Sequence, residues 1–159
     1  MLRPAEALFL GHHLNKIDAK GRIATPADFR KALDTDTFNG FVCVPSLTGP
    51  DLDCGGFDLL ARRQSEIEQM DPDDPDREAM EIAIMGRARR LSFDKDGRVI
   101  LPKAFVEHAG LDGQASFVGR GSYFQLSNAN DVEDRFAQAE KRARERRTRK
   151  RVAIEGGSE

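Results

Sequence analysis

Leu91 and Phe93 alternate with polar neighbours, the two-residue period of a half-buried strand. Asp94-Lys-Asp-Gly97 then supplies a turn, and Val99-Ile100-Leu101 resumes the apolar pattern. The same order occurs earlier, where Asp18-Ala-Lys-Gly21 precedes Arg22-Ile23. An Asp opening such a turn accepts hydrogen bonds from backbone N–H groups two residues on, and a Gly at its fourth position tolerates positive φ. Both segments therefore predict strand, tight turn, strand. Thr25-Pro26-Ala27-Asp28 next predicts a helix start, with Thr25 as cap, Pro26 in the first position and Asp28 in the first turn. Pro102 has the same part in the later segment, and Gly110 stops that helix. Phe29 and Phe105 are the apolar anchors, and Phe41–Val44 and Ala115–Val118 predict return strands. Gly56-Phe-Asp-Leu59 and Tyr123-Phe-Gln-Leu126 predict a last matched strand, with a nine-residue insertion around Ser46–Gly55 in the first copy.

These parallels are a repeat. Displacing the chain by 76 residues lays Asp18–Val44 on Asp94–Arg120 without a gap, with eight identities. They are Asp18/Asp94, Gly21/Gly97, Arg22/Arg98, Pro26/Pro102, Phe29/Phe105, Asp36/Asp112, Phe41/Phe117 and Val42/Val118. No third copy exists, so the unit is doubled and not arrayed.

Between the copies, Leu60–Met70 and Arg77–Arg90 read as helices, the latter with Met80, Ala83, Ile84 and Ala88 on one face. The prolines of Asp71-Pro-Asp-Asp-Pro-Asp76 break any continuous helix, which predicts a helical hairpin. A last helix begins near Asn128–Asp131 with Val132, Phe136, Ala139 and Ala143 as its stripe, and the end of the chain reads as disordered. The reading is α+β: a first repeat at 12–60, a helical connector at 61–87, a second repeat at 88–131, a basic C-terminal helix at 132–152 and a tail at 153–159.

Charge changes the picture only when it is placed. The chain has 159 residues and a net charge of −2, which taken alone argues against a polyanionic partner. Yet residues 141–151 carry +7, residues 1–140 carry −7 and the last eight carry −2. The cations of the segment are Lys141, Arg142, Arg144, Arg146, Arg147, Arg149, Lys150 and Arg151. It reads as a solvated helix end, as an arm that tracks phosphates, or as a dock for the acidic body of a neighbouring subunit.

The remaining chemistry mostly excludes. No apolar run approaches the ~20 residues of a membrane span, and the opening MLRPAEALFLGHH lacks the build of a secretion signal. Two cysteines fit a reducing cytoplasm. His12, His13, Cys43 and Cys54 match no zinc spacing, and Cys43 reads as a small core residue. His108 has no nucleophile partner, and no carboxylate pair or phosphate-cradling loop is present. The reading holds no enzyme, cofactor, metal or small-molecule substrate.

Arg22 and Arg98 stand just after their turns, where a planar guanidinium suits phosphate oxygens or a guanine edge. They also read as ion-pair partners of Asp18 and Asp94, and the two roles are compatible. Lys20 adds a cation where the second copy has Asp96, so the halves are expected to be unequal. With Lys16 and Lys95, these form the candidate DNA-contact set, and Asp18, Gly21, Asp94 and Gly97 form its turn support.

The doubled Asp-x-x-Gly-Arg turn, with Pro four residues after each Arg, resembles the MraZ-type transcriptional regulators. Phe9, Gly11, Phe29-Arg30, His108-Ala-Gly-Leu111, Phe117-Val-Gly119 and Phe124 carry the resemblance from about Phe9 to Asn128. Gln125-Leu-Ser127 departs from the acidic residue and Trp expected there, and the 46–56 loop is longer than usual. The resemblance implies two AbrB-like swapped-hairpin half-barrels interleaved as an intrachain pseudo-dimer. It further implies homo-oligomeric rings that bind short direct repeats in double-stranded DNA, upstream of a division and cell-wall gene cluster. A cytoplasmic, nucleoid-associated regulator is the reading that follows. An AbrB-like antitoxin is one alternative, usually with one motif copy; an oligomeric scaffold without specific DNA binding is the other.

Overall fold

The fourth residue of each Asp-x-x-Gly turn takes the left-handed backbone that the turn requires, with φ 81° at Gly21 and 74° at Gly97. In each turn the Asp carboxylate accepts two backbone N–H bonds: Asp18 from Lys20 and Arg22, Asp94 from Asp96 and Arg98. The computed structural model describes residues 3–35 and 37–157. Asp36, one of the matched positions, and the last two residues of the expected tail lie outside them.

The turns join β1 (His12–Lys16) to β2 (Arg22–Ala24) and β5 (Arg89–Ser92) to β6 (Arg98–Ile100). A short helix follows each, α1 (Ala27–Leu33) and α4 (Lys103–His108). The remaining strands are β3 (Gly40–Pro45), β4 (Leu52–Gly55), β7 (Gln114–Gly119) and β8 (Phe124–Ser127). Between the repeats lie α2 (Phe57–Glu68) and α3 (Pro75–Met80), the latter running into a π-helical turn at Glu81–Met85. The last helix is α5 (Val132–Gly157). The chain divides into two compact units, Met1–Ala129 and Asn130–Glu159.

In the first unit, strands of the two repeats pair with one another. The six-stranded sheet has the order β1-β7-β8-β4-β3-β5, and β2-β6 form a separate antiparallel ribbon. Thus β1 pairs with β7, and β3 with β5. Phenylalanines hold these segments together. Phe124 lies 5.0 Å from both Phe9 and Phe29, 5.2 Å from Phe41 and 5.9 Å from Phe117, ring centre to ring centre. All five are buried, each worth about 2 kcal/mol by removal from water. A smaller cluster of Val44, Ile67 and Ile84 packs the connector onto β3.

Five expectations need correction. Residues 56–59 form no strand: Phe57 opens α2, whose Leu59 and Ile67 are buried at helical spacing. The strand beside β8 is β4, inside the stretch read as an insertion, so the connection after β3 is only 46–51. Thr25 does not cap α1; Pro26 occupies that position and Thr25 Oγ1 is buried without a hydrogen-bond partner among the described residues. The connector helices are displaced as well. Asp74 caps α3 one residue before Pro75, and Arg89 and Arg90 belong to β5, where pairing with β3 overrides helix. The last helix also continues to Gly157, past the expected end at 152, with an Arg151–Glu155 ion pair of 3.4 Å in its final turns.

Candidate functional site

The β2–β6 ribbon carries the two arginines. Its register places Arg22 opposite Ile100, Ile23 opposite Val99 and Ala24 opposite Arg98. Opposed residues share a face, so Arg22, Ala24, Arg98 and Ile100 point outward while Ile23 and Val99 are buried. The pairing is symmetric about Ile23 and Val99. It is extended at both ends by equivalent bonds: Thr25 N–H donates to Gly97 O at 3.1 Å, and Leu101 N–H to Gly21 O at 2.9 Å. Arg22 and Arg98 are therefore diagonal neighbours on one face, a relation that sets Cβ atoms about 7–8 Å apart or somewhat less.

Each guanidinium is held by its own turn. Arg22 Nε donates to Asp18 Oδ2 at 2.6 Å, and Arg98 Nε to Asp94 Oδ2 at 3.1 Å. Both arginine side chains keep 30% exposure, so the bond aims them without hiding them. The Arg22 backbone N–H, followed by its side chain, holds the Asp18 carboxyl below its ordinary value. The Arg98 backbone N–H, followed by that of Asp96, does the same for Asp94. Two negatively charged turn carboxylates thus orient two cations on one surface.

The halves differ. Arg98 Nη2 also donates to Asp96 Oδ2 at 3.1 Å, so its charge is divided between two carboxylates. Lys20, at the position matched by Asp96, is exposed, as are Lys16 at the end of β1 and Lys95 in the second turn. Asn15 Nδ2 donates to Ala24 O at 2.6 Å and ties β1 to the ribbon. Sequence reasoning left Arg30 without a role in the contact set. The structure lays it against Gly97, beside an open cleft of about 580 Å³ that Lys31 and Lys95 also line. The signal available was its place next to the matched Phe29.

In the second unit, Lys141, Arg142, Arg144, Arg146, Arg147, Arg149, Lys150 and Arg151 are all exposed on α5. Ala139 and Ala143 of the expected stripe are exposed too. Two ion pairs along the helix, Arg144–Glu140 at 3.8 Å and Arg151–Glu155, engage two of these cations.

Among the described residues, no group of three or more His, Cys, Asp and Glu is placed to hold a metal, and no helix is long and apolar enough to cross a membrane. Cys43 and Cys54 face each other across β3 and β4, with their Sγ atoms 3.3 Å apart, both buried and both free thiols.

The sequence model of the MraZ protein family, whose description provisionally sets it among antitoxin-like proteins, matches residues 84–152. Relatives named transcriptional regulator MraZ match far more of the chain. That of Rickettsia akari (strain Hartford) is 38% identical over 140 residues, covering 88% of this chain and 94% of the relative. That of Rickettsia bellii (strain OSU 85-389) is 38% identical over 141 residues, with the same coverage. That of Rickettsia canadensis (strain McKiel) is 36% identical over 140 residues, again covering 88% and 94%. With likeness of this degree along nearly the whole length, the chain belongs to the MraZ family.

Proposed function

We propose that the chain is a sequence-specific DNA-binding transcriptional regulator that reads duplex DNA through the β2–β6 ribbon. The observation that carries this reading is the placing of Arg22 and Arg98 on one outward face by a symmetric register. Each is aimed by a turn carboxylate and still exposed. Paired guanidinium forks so held suit phosphate oxygens and guanine edges. Lys20, Lys16 and Lys95 add phosphate contacts, and the cations of 141–151 serve as a phosphate arm. The relatives' name, transcriptional regulator, supports the regulatory role.

On this reading, the segments 12–60 and 88–131 are two AbrB-like swapped-hairpin half-barrels, interleaved as an intrachain pseudo-dimer, with 61–87 as connector. Support comes from the crossed pairing of β1 with β7 and β3 with β5, and from the symmetric ribbon. Several chains assemble in a ring, so that contacts weak in one chain add up over short direct repeats. The target is the region upstream of the chain's own gene and the division and cell-wall cluster around it, in a cytoplasmic, nucleoid-associated setting.

A salt-dependent gel shift on that upstream duplex tests the reading. Binding should fall steeply as salt rises. Arg22→Ala should cost about 1–3 kcal/mol with oligomer size unchanged. Unchanged binding in the Arg22→Ala/Arg98→Ala double variant sinks the assignment.

A further inference from the structure

Lys20 of the first turn is matched in the second by Asp96, so the turns carry opposite charge at equivalent positions. Arg98 is bound by two carboxylates where Arg22 is bound by one. A phosphate approaching the second turn therefore meets more negative charge than one approaching the first.

Arg30 changes that balance. It stands on α1, in the first repeat, yet its guanidinium lies against the second repeat's turn. A Cβ placed on Gly97 would fall 2.6 Å from Arg30 Nη1, 2.9 Å from Cζ and 3.0 Å from Cδ. Gly97 thus serves both its left-handed φ and this close approach. A Cβ on Gly21 would meet only Leu101 O at 3.4 Å and Ile100 Cγ2 at 3.9 Å, and no cation. The reciprocal contact is missing because the position matched to Arg30 is Val106. Arg30 is exposed; its backbone N–H donates to Pro26 O at the start of α1, but among the described residues its guanidinium has no hydrogen bond or ion pair, so its side-chain donors are uncommitted. It is held one residue from Arg98, in a cleft that Lys31 and Lys95 line together with the carboxylates of Asp34 and Asp94.

We propose that Arg30 is a DNA-phosphate ligand working across the repeats: it brings to the second turn the cation that Asp96 displaces from it. The ligand is a backbone phosphodiester of the duplex read by the ribbon, so the inference rests on the DNA-binding reading. It makes the contact surface a composite, with one repeat supplying charge to the other's turn.

The test uses the full chain and a labelled duplex of the region directly upstream of its own coding sequence, titrated at several salt concentrations. Wild type reports on the DNA-binding reading itself; if it binds with no salt dependence, that reading and this inference both fall. Given salt-dependent binding, Arg30→Ala should weaken affinity about tenfold and lower the salt slope by about one. Arg30→Lys should keep the slope, and Asp96→Lys in the Arg30→Ala background should restore it. Thermal unfolding run beside each variant guards against a folding effect, since a structural role would lower the melting point and leave Asp96→Lys unable to rescue binding. Wild-type affinity and slope in Arg30→Ala, or failure of that rescue, overturns the proposal while leaving the reading of Arg22 and Arg98 intact.

Discussion

Arg22 is joined to Asp18 twice: its backbone N–H donates to Asp18 Oδ1 at 2.9 Å, and its side-chain Nε donates to Oδ2 at 2.6 Å. One carboxylate therefore closes the turn and aims the guanidinium that leaves it. Arg98 and Asp94 repeat the arrangement at 3.0 and 3.1 Å. The group that makes the hairpin thus also points the cation.

That double role is sensitive to acid. Both carboxyls are held below the ordinary aspartate value of 3.8, chiefly by the backbone N–H groups of Arg22 and Arg98. A lowered folded value stabilises the fold fully above the unfolded value, and this is lost as pH falls through the folded one. The turns should thus support the fold at neutral pH and release it below about pH 4. Thermal unfolding followed from neutral pH into that range should show a shallower acid limb for Asp18→Asn/Asp94→Asn than for wild type; identical limbs would count against it.

Gly21→Ala and Gly97→Ala both force a side chain into positive φ, at about 1–2 kcal/mol each. The two should lower the melting point alike, because the Arg30 tip can swing away from a new methyl at 97. Gly97→Ala should weaken DNA binding more than Gly21→Ala, since besides straining its turn it displaces Arg30. Melting and duplex titration of both variants separate the effects, and equal binding would contradict the link.

Phe124→Ala should cost about 3–5 kcal/mol, because a cavity opens among four other rings that cannot all collapse into it. Denaturant unfolding measures this. A loss under about 1 kcal/mol would show the site relaxing freely.

Burial raises the Cys54 thiol well above its ordinary value, and the bond to Cys43 adds to this. Neither thiol should react with an aromatic disulfide reagent at neutral pH in the native protein, and both should react once it is unfolded. Rapid native labelling of either would contradict the burial.

The basic helix can be tested without touching the ribbon. Arg146, Arg147, Arg149 and Lys150 are exposed, so replacing all four with Gln should leave the melting point of the β-rich unit unchanged. If the segment tracks phosphate, the salt slope should fall by up to about four. An unaltered slope assigns the segment to another role.

Much of the site was legible because its causes are local. Asp, Gly and Arg act within five residues through N–H donors, a missing Cβ and one rotamer choice, so both turns and both proline-started helices could be read directly. Misreadings arose where local patterns compete. Residues 56–59 alternate well enough for a strand, but Leu59 and Ile67 continue at helical spacing, and the connector packs against Val44. Leu52–Gly55 is short and holds a buried Asp53, which disguises it; the carboxylate is satisfied there by Gln125 Nε2 at 2.8 Å and Arg63 Nη2 at 3.3 Å. The contact of Arg30 with Gly97 was beyond sequence reasoning because that partner is a backbone 67 positions away that offers it no charge.

By itself, then, the sequence determined the doubled unit, the geometry of each turn, and the asymmetry of Lys20 against Asp96. Each follows from steric and hydrogen-bonding rules that span a few residues. Only the tertiary structure decided which strands pair, and hence that Arg22 and Arg98 share a face and that Arg30 crosses to Gly97. Pairing between repeats is set by burying Phe9, Phe29, Phe41, Phe117 and Phe124 in one core, and that apolar burial is non-directional and acts between segments far apart in the chain.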